Sequence, residues 1–351
     1  MEFKIPRFGK KLIEKVVKLD RKCFRRAAAA AAICVAAGTL SSTAFAAPLT
    51  DGEVMNLWPG KAPGSENVTF DEVVVERSSD PNKKHDRAMM HIKTPTLTVR
   101  LPEHPNGTAV VIAPGGGYAR VVIDKESEEY AEHWLNPAGV TAFILHYRMP
   151  SDPHNSNRTD VMLEDGQRAM RIVRAHAKEW GIDPNKIGIM GSSAGGHLAS
   201  SINAEYDHEF YKHVDASDDV SAKPDFAILC YPVITMQDKW AHNGTKKRLL
   251  GMNPTQEEKD RYSSELYVTK NTSPSFIVLA EDDDVVPSMN GVLYFQALRA
   301  NGVMNSEIHV FRRGGHGFGI ERIADDNALG MWPKLATNWL QGIGMLPKVT
   351  K

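Results

Sequence analysis

Short apolar runs and longer amphipathic runs alternate along the chain from Thr108 onward. Short apolar runs bounded by turn-forming residues predict buried strands, and longer runs with apolar residues three or four positions apart predict helices. Their alternation predicts an α/β fold with a mostly parallel central sheet flanked by helices. The predicted strands are Leu97–Leu101, Ala109–Ala113, Thr141–Tyr147, Ile187–Met190, Phe226–Cys230, Phe276–Leu279 and Glu307–Phe311. The predicted helices are Ser127–Leu135, Leu163–Trp180, Gly195–Ala204, Ser288–Asn301 and Met331–Leu340.

The second predicted helix is amphipathic, with one apolar and one basic face. Its inward face is expected to contain Met162, Met170, Ile172, Val173, Ala175 and Trp180. The side chains expected to stay largely outside are Arg168, Arg171, Arg174 and Lys178. Asp183-Pro184 then ends the helical segment before the next strand.

Two regions fit the alternation poorly. Residues 48–95 are expected to form an N-terminal arm with a hairpin, because Val73–Val75 and Met89–Ile92 flank a polar stretch. Residues 231–272 form a polar insertion that contains Trp240. The sequence leaves two roles open for Trp240, a sugar-binding rim or a partly packed aromatic.

The first 46 residues have the pattern of a targeting segment. Basic residues ending at Arg25–Arg26 precede an apolar, alanine-rich run and an A-x-A site that ends at Ala46. The apolar run is shorter than the roughly 18 residues that a membrane-spanning helix needs. We therefore expect 1–46 to be a signal peptide, cleaved on export to the periplasm or the medium, and 47–351 to be one catalytic domain.

Removal of that segment would leave 32 basic and 40 acidic residues and a formal charge of −8. An acidic chain disfavours nucleic acid and anionic membrane surfaces, so neither is expected as a partner. Cys230, the one cysteine after residue 46, lies in an apolar run and is expected to be a buried small hydrophobe. No H-E-x-x-H, C-x-x-C or similar spacing appears, so we expect no metal and no cofactor.

Candidate chemistry begins where a predicted strand runs directly into Gly191-Ser192-Ser193-Ala194-Gly195 and a predicted helix follows. The spacing G-x-S-x-G is that of a nucleophile elbow, in which the central serine, here Ser193, is held in strained backbone geometry at the top of a sheet. The N-terminal N–H groups of the helix would favour negative charge developing there. Taken alone, the motif is also compatible with an ordinary small-residue turn.

A glycine-rich loop, Pro114–Tyr118, follows the strand Ala109–Ala113. Consecutive glycines allow backbone N–H groups to turn toward an acyl oxygen, so the N–H groups of Gly116, Gly117 and Ala194 are the predicted oxyanion hole. A phosphate-binding loop is the alternative, but the G-x-G-x-x-G spacing and the Lys-Ser/Thr of a P-loop are missing.

Two further loops supply an acid and a base in the chain order that a serine hydrolase of this fold needs. The strand Phe276–Leu279 leads into an acidic turn, where a D-x-x-V-P pattern selects Asp283 as the acid, with Asp282 as the alternative. A solvated acidic turn or a calcium loop stays open for the same stretch. His316 lies among glycines after the last strand and is the candidate general base. His197, in the predicted helix, is expected to be structural.

Ser193, Asp283 and His316 together predict ester hydrolysis through an acyl-enzyme. His316 would take the proton of the Ser193 hydroxyl as its oxygen attacks the acyl carbon, and the backbone donors would hold the oxyanion. Tyr118, beside the glycine loop, is expected either to shape the acyl pocket or to pack beneath the loop.

These motifs resemble the α/β-hydrolases of the bacterial acetyl xylan esterase type, relatives of the hormone-sensitive-lipase-like carboxylesterases. The resemblance covers nearly all of the chain after residue 46 and implies a serine esterase for acetylated xylan or a small acylated carbohydrate derived from it. Two positions differ from the lipase-like relatives: Pro114 stands where they have His, and Ser192 where they often have Asp. These differences disfavour the long-chain lipase branch. The stretches that carry the resemblance are LWPGKAPGSE, VVIAPGGGYARV, HYRMP, GIDPNKIGIMGSSAGGHLAS, CYPVITM, LAEDDDVVPSMN and FRRGGHGFG.

Other activities fit parts of the pattern. A serine peptidase of the prolyl oligopeptidase type shares the order of the triad but usually has a large extra domain. A general short-chain carboxylesterase or lipase is a second alternative. A glycosidase needs two carboxylates roughly 5–5.5 or 6.5–9.5 Å apart across a sugar cleft, and the sequence offers no pair with a reason to be there. A silent binding protein is disfavoured because all three triad positions are filled.

Overall fold

The computed structural model describes residues 48–80, 84–152, 158–320 and 328–348. The predicted signal peptide, 1–46, lies outside these residues, so the signal peptide and the single domain 47–351 stay predictions. Among the residues described, no helix is both long enough and apolar enough to cross a bilayer.

The described strands follow the seven predicted ones closely. They are β1 (Val54–Asn56), β2 (Val73–Glu76), β3 (Arg87–Met90), β4 (Thr96–Arg100), β5 (Ala109–Ala113), β6 (Val121–Val122), β7 (Thr141–His146), β8 (Ile187–Ser192), β9 (Ala227–Cys230), β10 (Ser275–Ala280) and β11 (Glu307–Phe311). Of these, β2 and β3 form the hairpin expected in the arm, and β1 and β6 are two short additions.

Eight of these strands form one sheet in the order β1-β4-β7-β5-β8-β9-β10-β11. The β1–β4 and β4–β7 pairs are antiparallel, and every pair from β7 to β11 is parallel. The mostly parallel sheet confirms the predicted fold class. Because the carboxyl ends of the parallel strands share one edge, the loops that leave them meet there, where α/β folds place their ligand sites.

Helices cover the sheet on both sides. They are α1 (Val161–Ala175), α2 (Ser193–Ala204), α3 (Asn243–Leu250), α4 (Gln256–Arg261), α5 (Met289–Ala300) and α6 (Trp332–Gly342). A further helical stretch spans 124–135 and contains two π-helical turns, Asp124–Glu128 and Ala131–Leu135. Short 3₁₀ helices lie at Ala216–Asp219, Ser264–Tyr267 and Ala328–Met331. The 231–272 insertion therefore consists mainly of α3, α4 and one 3₁₀ turn.

Apolar side chains fill both faces of the eight-stranded sheet. Along β5, Val111 belongs to one core cluster and Val110 and Ile112 belong to the other, as the alternation of side chains along a strand requires. Residues of α1, α2 and α5 cover the first face, and residues of the 124–135 stretch and α6 cover the second. Burial on both faces makes the sheet a rigid support for the loops at its edge.

The predicted exposure of Arg168 is wrong. Its side chain is buried in α1 and donates to both Asp215 and Asp218 and to the backbone oxygen of Leu57. A buried guanidinium is stable only where carboxylates and carbonyls satisfy it, and here the acids come from a turn about fifty residues further along the chain. Helical periodicity alone does not reveal such distant partners.

The N-terminal arm forms a second, smaller sheet. β2 and β3 pair antiparallel as a hairpin, where the sequence places one, with Val73 opposite Met90. β3 also pairs with β6, so that Ala88 lies opposite Val122. Since β6 follows the glycine-rich loop by only a few residues, the arm fixes the segment that leaves this loop.

Candidate active site

Ser193 lies at the tight turn between β8 and α2. Its φ is +52°, a left-handed conformation that costs a non-glycine residue energy. Glycines on either side permit the turn: a Cβ on Gly191 would lie 2.1 Å from the backbone oxygen of Gly195, and one on Gly195 would lie 2.0 Å from that of Ala113. The G-x-S-x-G spacing therefore follows from the close approach of α2 to both strands.

Strained backbone is concentrated around this turn. Five non-glycine residues of the described chain have positive φ, and three of them, Tyr118, Ser193 and Tyr231, belong to the same site. Tyr118 ends the glycine-rich loop, and the ring of Tyr231 packs edge-on against that of His316, with 5.1 Å between centroids. Such clusters are typical of active sites, where the surrounding fold maintains unfavourable conformations.

The three predicted triad side chains form one hydrogen-bonded relay. Ser193 Oγ lies 2.8 Å from His316 Nε2, and His316 Nδ1 lies 2.7 Å from Asp283 Oδ2. The carboxylate of Asp283 is 3% exposed and the imidazole of His316 is 16% exposed, so the acid is shielded while the base stays reachable. This geometry allows His316 to accept the serine proton and Asp283 to orient the imidazole.

The two neighbouring aspartates have different partners. Asp283 Oδ1 accepts the N–H groups of Val285 and Val286, which leaves Oδ2 for His316. Asp282 Oδ1 instead accepts the N–H groups of Gly314 and Gly315, at 2.8 Å each. These N–H groups, that of Gly315 first, lower the pKa of Asp282. Asp282 thus holds the loop that carries His316, and Asp283 contacts the histidine itself.

The glycine-rich loop lies directly against the serine. A Cβ on Gly115 would come within 2.9 Å of the Ser193 Cβ, and one on Gly116, where φ is +135°, would lie 2.1 Å from the backbone oxygen of Arg120. In the part of the chain that the structure describes, the N–H groups of Gly116 and Gly117 donate to no protein atom. These two groups and the first turn of α2 are therefore available to an oxyanion.

Buried side chains hold the loop from below. Tyr147 Oη donates to the Pro114 oxygen at 2.6 Å, and Glu126 Oε2 accepts the Gly115 N–H at 2.7 Å. The hydroxyl of Tyr118 lies 2.7 Å from His197 Nδ1. Tyr118 is fully buried and its hydroxyl contacts His197, so the side chain packs beneath the loop; a part in shaping the acyl pocket stays a prediction.

His197 has the structural role that the sequence predicts. Its Nε2 lies 2.7 Å from the Tyr262 oxygen and donates to it, so Nδ1 is left to accept the Tyr118 hydroxyl. Burial lowers its pKa to about 4, which keeps the ring neutral. Cys230 is likewise fully buried, as predicted, and burial raises its pKa far above the usual range.

The insertion adds residues that sequence reasoning missed. His242 Nδ1 lies 2.7 Å from Thr245 Oγ1 at the start of α3, and burial, followed by the nearby charge of His316, lowers the pKa of His242. Arg248 Nη1 donates to the Gly117 oxygen at 3.2 Å. The insertion therefore borders the oxyanion loop. Trp240 is half-buried, with Lys239 Nζ 4.9 Å from its ring centroid, so neither of its predicted roles is decided.

Several curated proteins are similar in sequence to this chain, and two of them cover about two thirds of it. An acetylxylan esterase from Xylanibacter ruminicola is 36% identical over 248 residues, which are 70% of this chain and 46% of that protein. The endo-1,4-beta-xylanase B of Butyrivibrio fibrisolvens is 37% identical over 226 residues, which are 64% of this chain and 34% of that protein. This chain thus spans less than half the length of either relative.

One solved structure is similar to this chain over nearly the whole length of the solved protein. The crystal structure of an acetyl ester-xyloside bifunctional hydrolase from Caldicellulosiruptor lactoaceticus has a TM-score of 0.69 and 34% identity. The match covers 85% of this chain and 98% of that chain. The likeness therefore extends over most of this chain.

One family model, BD-FAE, matches residues 97–298. This range contains the glycine-rich loop, Ser193 and Asp283 and ends before His316. The matched range is more than half of the chain, so the match shows the family. The chain has an α/β-hydrolase fold and belongs to the BD-FAE family.

Proposed function

We propose that this chain is a serine esterase that removes short acyl groups, above all O-acetyl groups, from acetylated plant cell-wall carbohydrate such as xylan. The observation that carries the proposal is the relay of Ser193, His316 and Asp283 beside N–H groups of the glycine-rich loop that donate to none of the described residues. Each part has a place in acyl transfer.

The reaction starts with attack of Ser193 Oγ on the acyl carbon while His316 Nε2 takes the hydroxyl proton. The N–H groups of Gly116, Gly117 and Ala194 stabilise the negative oxygen of the tetrahedral intermediate. His316 then returns the proton to the sugar oxygen, which leaves as an alcohol. Water repeats the same two proton transfers on the acyl-enzyme, and acetate is released.

The sugar part of the substrate is supported by the relatives. Three of the proteins similar to this chain are named as an acetylxylan esterase, a xylanase and an acetyl ester-xyloside hydrolase. All three names concern xylan or xylosides, and two name an acetyl ester. A polymer-derived substrate also agrees with the export that the first 46 residues predict.

Two other activities share this machinery. A general short-chain carboxylesterase would accept many alcohols, and a peptidase of the prolyl oligopeptidase type would cleave amides with the same relay. The names of the relatives favour the esterase, and their link to xylan favours a sugar alcohol over an unspecific one.

The test is turnover by the purified full chain and its Ser193→Ala variant. We expect the wild type to hydrolyse p-nitrophenyl acetate faster than the octanoate, and to release acetate from acetylated xylan without shortening the polymer. The variant is expected to lose about 10⁴-fold or more of kcat. Equal, background-level rates for both proteins on the acetate ester would refute the proposal.

The comparison of substrates separates the alternatives. Preference for the octanoate would favour a lipase, and cleavage of prolyl amides faster than acetyl esters would favour the peptidase. Shortened xylan chains would point to a glycosidase.

We also propose that the chain is exported and loses its first 46 residues. Expression in a bacterial host, followed by mass spectrometry of the secreted or periplasmic protein, is expected to show a new N-terminus at Ala47. An intact N-terminus in the cytoplasmic fraction would contradict this.

A further inference from the structure

One buried carboxylate links the two loops of the site. Glu126 is 4% exposed, and its two oxygens have different partners. Oε2 accepts the Gly115 N–H of the glycine-rich loop at 2.7 Å, and Oε1 accepts the Tyr231 hydroxyl at 3.1 Å. A Cβ on Gly317, the residue after His316, would lie 3.7 Å from Oε1. Glu126 therefore lies between the oxyanion loop and the histidine loop.

The peptide unit between Pro114 and Gly115 is held by hydrogen bonds at both of its polar atoms, one of them to Glu126. The Pro114 oxygen accepts from the Tyr147 hydroxyl, and the N–H of the same peptide, on Gly115, donates to Glu126. Neither polar atom of this peptide is thus free to rotate. Because the peptide directly precedes Gly116 and Gly117, its orientation determines where their N–H groups point.

The second oxygen of Glu126 sets the direction of a buried hydrogen-bond chain. A carboxylate only accepts, so the Tyr231 hydroxyl donates to it and accepts from Tyr130, whose oxygen lies 2.9 Å away. The Tyr130 oxygen then accepts from Ser192 Oγ at 3.2 Å. Burial raises the pKa of Tyr231 well above its usual value, so the hydroxyl remains a donor. The chain ends beside the nucleophile and holds the Tyr231 ring against His316.

The turn that carries Glu126 is itself unusual. It belongs to the π-helical segment Asp124–Glu128, and π-helical turns occur frequently at functional sites. The neighbouring Lys125 also reaches the histidine loop, since a Cβ on Gly317 would lie 3.3 Å from its Nζ. This turn therefore contacts the glycine-rich loop on one side and the histidine loop on the other.

We propose that Glu126 is a positioning residue that couples the oxyanion hole to the catalytic histidine, by orienting the Pro114–Gly115 peptide through one oxygen and the Tyr231 ring through the other. The inference deepens the proposed esterase function and rests on it. It predicts that loss of this carboxylate weakens binding of the transition state more than binding of the substrate.

The test compares Glu126→Gln and Glu126→Ala with the wild-type full chain on p-nitrophenyl acetate. The glutamine keeps an acceptor for Gly115 but presents N–H₂ to Tyr231, whereas alanine removes both acceptors. We expect kcat to fall about 10-fold in Glu126→Gln and about 100-fold in Glu126→Ala, with KM within twofold of the wild-type value. These losses are at or below the loss found when an oxyanion donor itself is removed.

The affinity for a transition-state mimic distinguishes a positioning role from a purely structural one, because a purely structural role would leave it unchanged. Phenylboronic acid binds through a bond from serine oxygen to boron, with the serine proton passing to histidine and a boronate oxygen in the oxyanion hole. Its inhibition constant is expected to rise in each Glu126 variant by the same factor as kcat/KM falls. Tyr147→Phe, which releases the other side of the peptide, is expected to be non-additive with Glu126→Gln in kcat.

Glu128→Gln is the matched control. It lies on the same helical stretch, but its carboxylate pairs with Arg100, so its loss is expected to change stability and not kcat or boronate affinity. If Glu126→Ala does not fold, Glu126→Gln and its double variant with Tyr147→Phe decide the question. Unchanged kcat and boronate affinity in folded Glu126 variants, or an equal loss in Glu128→Gln, would overturn the inference. A wild type with neither turnover nor boronate binding would instead refute the esterase function.

Discussion

At the residue scale, two adjacent aspartates after β10 offer a sharp comparison. In Asp283→Asn, the side-chain oxygen is expected to keep the N–H groups of Val285 and Val286, so its N–H₂ would face His316 Nδ1 and favour the wrong tautomer. We expect kcat on p-nitrophenyl acetate to fall by about 10⁴-fold. In Asp282→Asn, an oxygen can still accept from Gly314 and Gly315, so a loss below about tenfold is expected.

The result that would contradict this assignment is a larger loss in Asp282→Asn than in Asp283→Asn, measured on folded proteins. It would mean that the acidic turn moves in solution and that Asp282 orients the histidine.

The residues of the relay were predictable because each follows a strand in a fixed chain order and lies in a recognisable loop. Glu126 was not predictable, because an acid within Asp124–Glu129 has the composition of a solvated helix surface. Tyr231 gave no signal either, since its contact with His316 joins positions 85 residues apart in sequence. Ser192 occupies only an x position of the G-x-S-x-G motif, yet its hydroxyl contacts the buried Tyr130.

At the element scale, the packing of α2 against β5 depends on Gly195. In Gly195→Ala the new methyl group would lie 2.0 Å from the Ala113 oxygen and 2.4 Å from that of Pro114. Backbone must then move, so we expect a loss of about 1–3 kcal/mol or more in unfolding free energy, together with a fall in kcat as the oxyanion loop shifts. Urea unfolding and p-nitrophenyl acetate turnover measure the two effects.

Gly342→Ala is the control for this change. It lies at the exposed end of α6, where a Cβ would meet nothing within 4 Å. We expect unchanged activity and a stability equal to or slightly above that of the wild type. Similar losses for both variants would show that α2 can adjust to a larger residue.

The buried arginine of α1 provides a second prediction for this scale. Arg168→Met would leave Asp215 and Asp218 without their main cation. Breaking a buried pair in this way typically costs about 3–5 kcal/mol, and we expect the lower end because Asp215 is partly exposed. Lys178→Met, an exposed change in the segment after α1, is expected to lie within about 0.5 kcal/mol of the wild type in urea unfolding. Equal unfolding free energies for Arg168→Met and Lys178→Met would mean that the ion pairs of Arg168 do not stabilise the fold.

The bounds of the described strands agree with the predicted bounds to within two residues at each end. Such strands are recognisable because buried strands of a parallel sheet are continuous apolar runs. The helix ends agree less well: α1 begins at Val161 and ends at Ala175, five residues before the predicted end. The two-residue strand β6 has no signal of its own, because only pairing with β3 makes it a strand.

At the scale of the whole molecule, the protonation of two buried groups has opposite effects on stability as the pH falls. His197 has a folded pKa of about 4 against 6.5, so the unfolded chain takes up the proton first and stability is lost as the pH falls from 6.5 toward 4. Burial raises the pKa of Glu164 from 4.5 to about 7, so its contribution to stability grows as the pH falls from 7 to 4.5. Each shift corresponds to about 3 kcal/mol.

Urea unfolding between pH 7 and pH 4.5 tests these signs. His197→Gln removes the loss in acid, so its stability is expected to fall less than that of the wild type over this range. Glu164→Gln removes the compensating gain and is expected to make the fall steeper. Slopes that match the wild type in both variants would show that neither group changes its protonation on unfolding.

The sheet order has a consequence for synthesis of the protein. β11 is an edge strand, and the loop after it supplies His316. A ribosome makes the nucleophile more than one hundred residues earlier, and chains generally begin to fold from the N-terminal side. A nascent chain can therefore shape its serine turn while it still has no base to activate it. The proposed catalytic relay is complete only when β11 has left the exit tunnel and docked on β10.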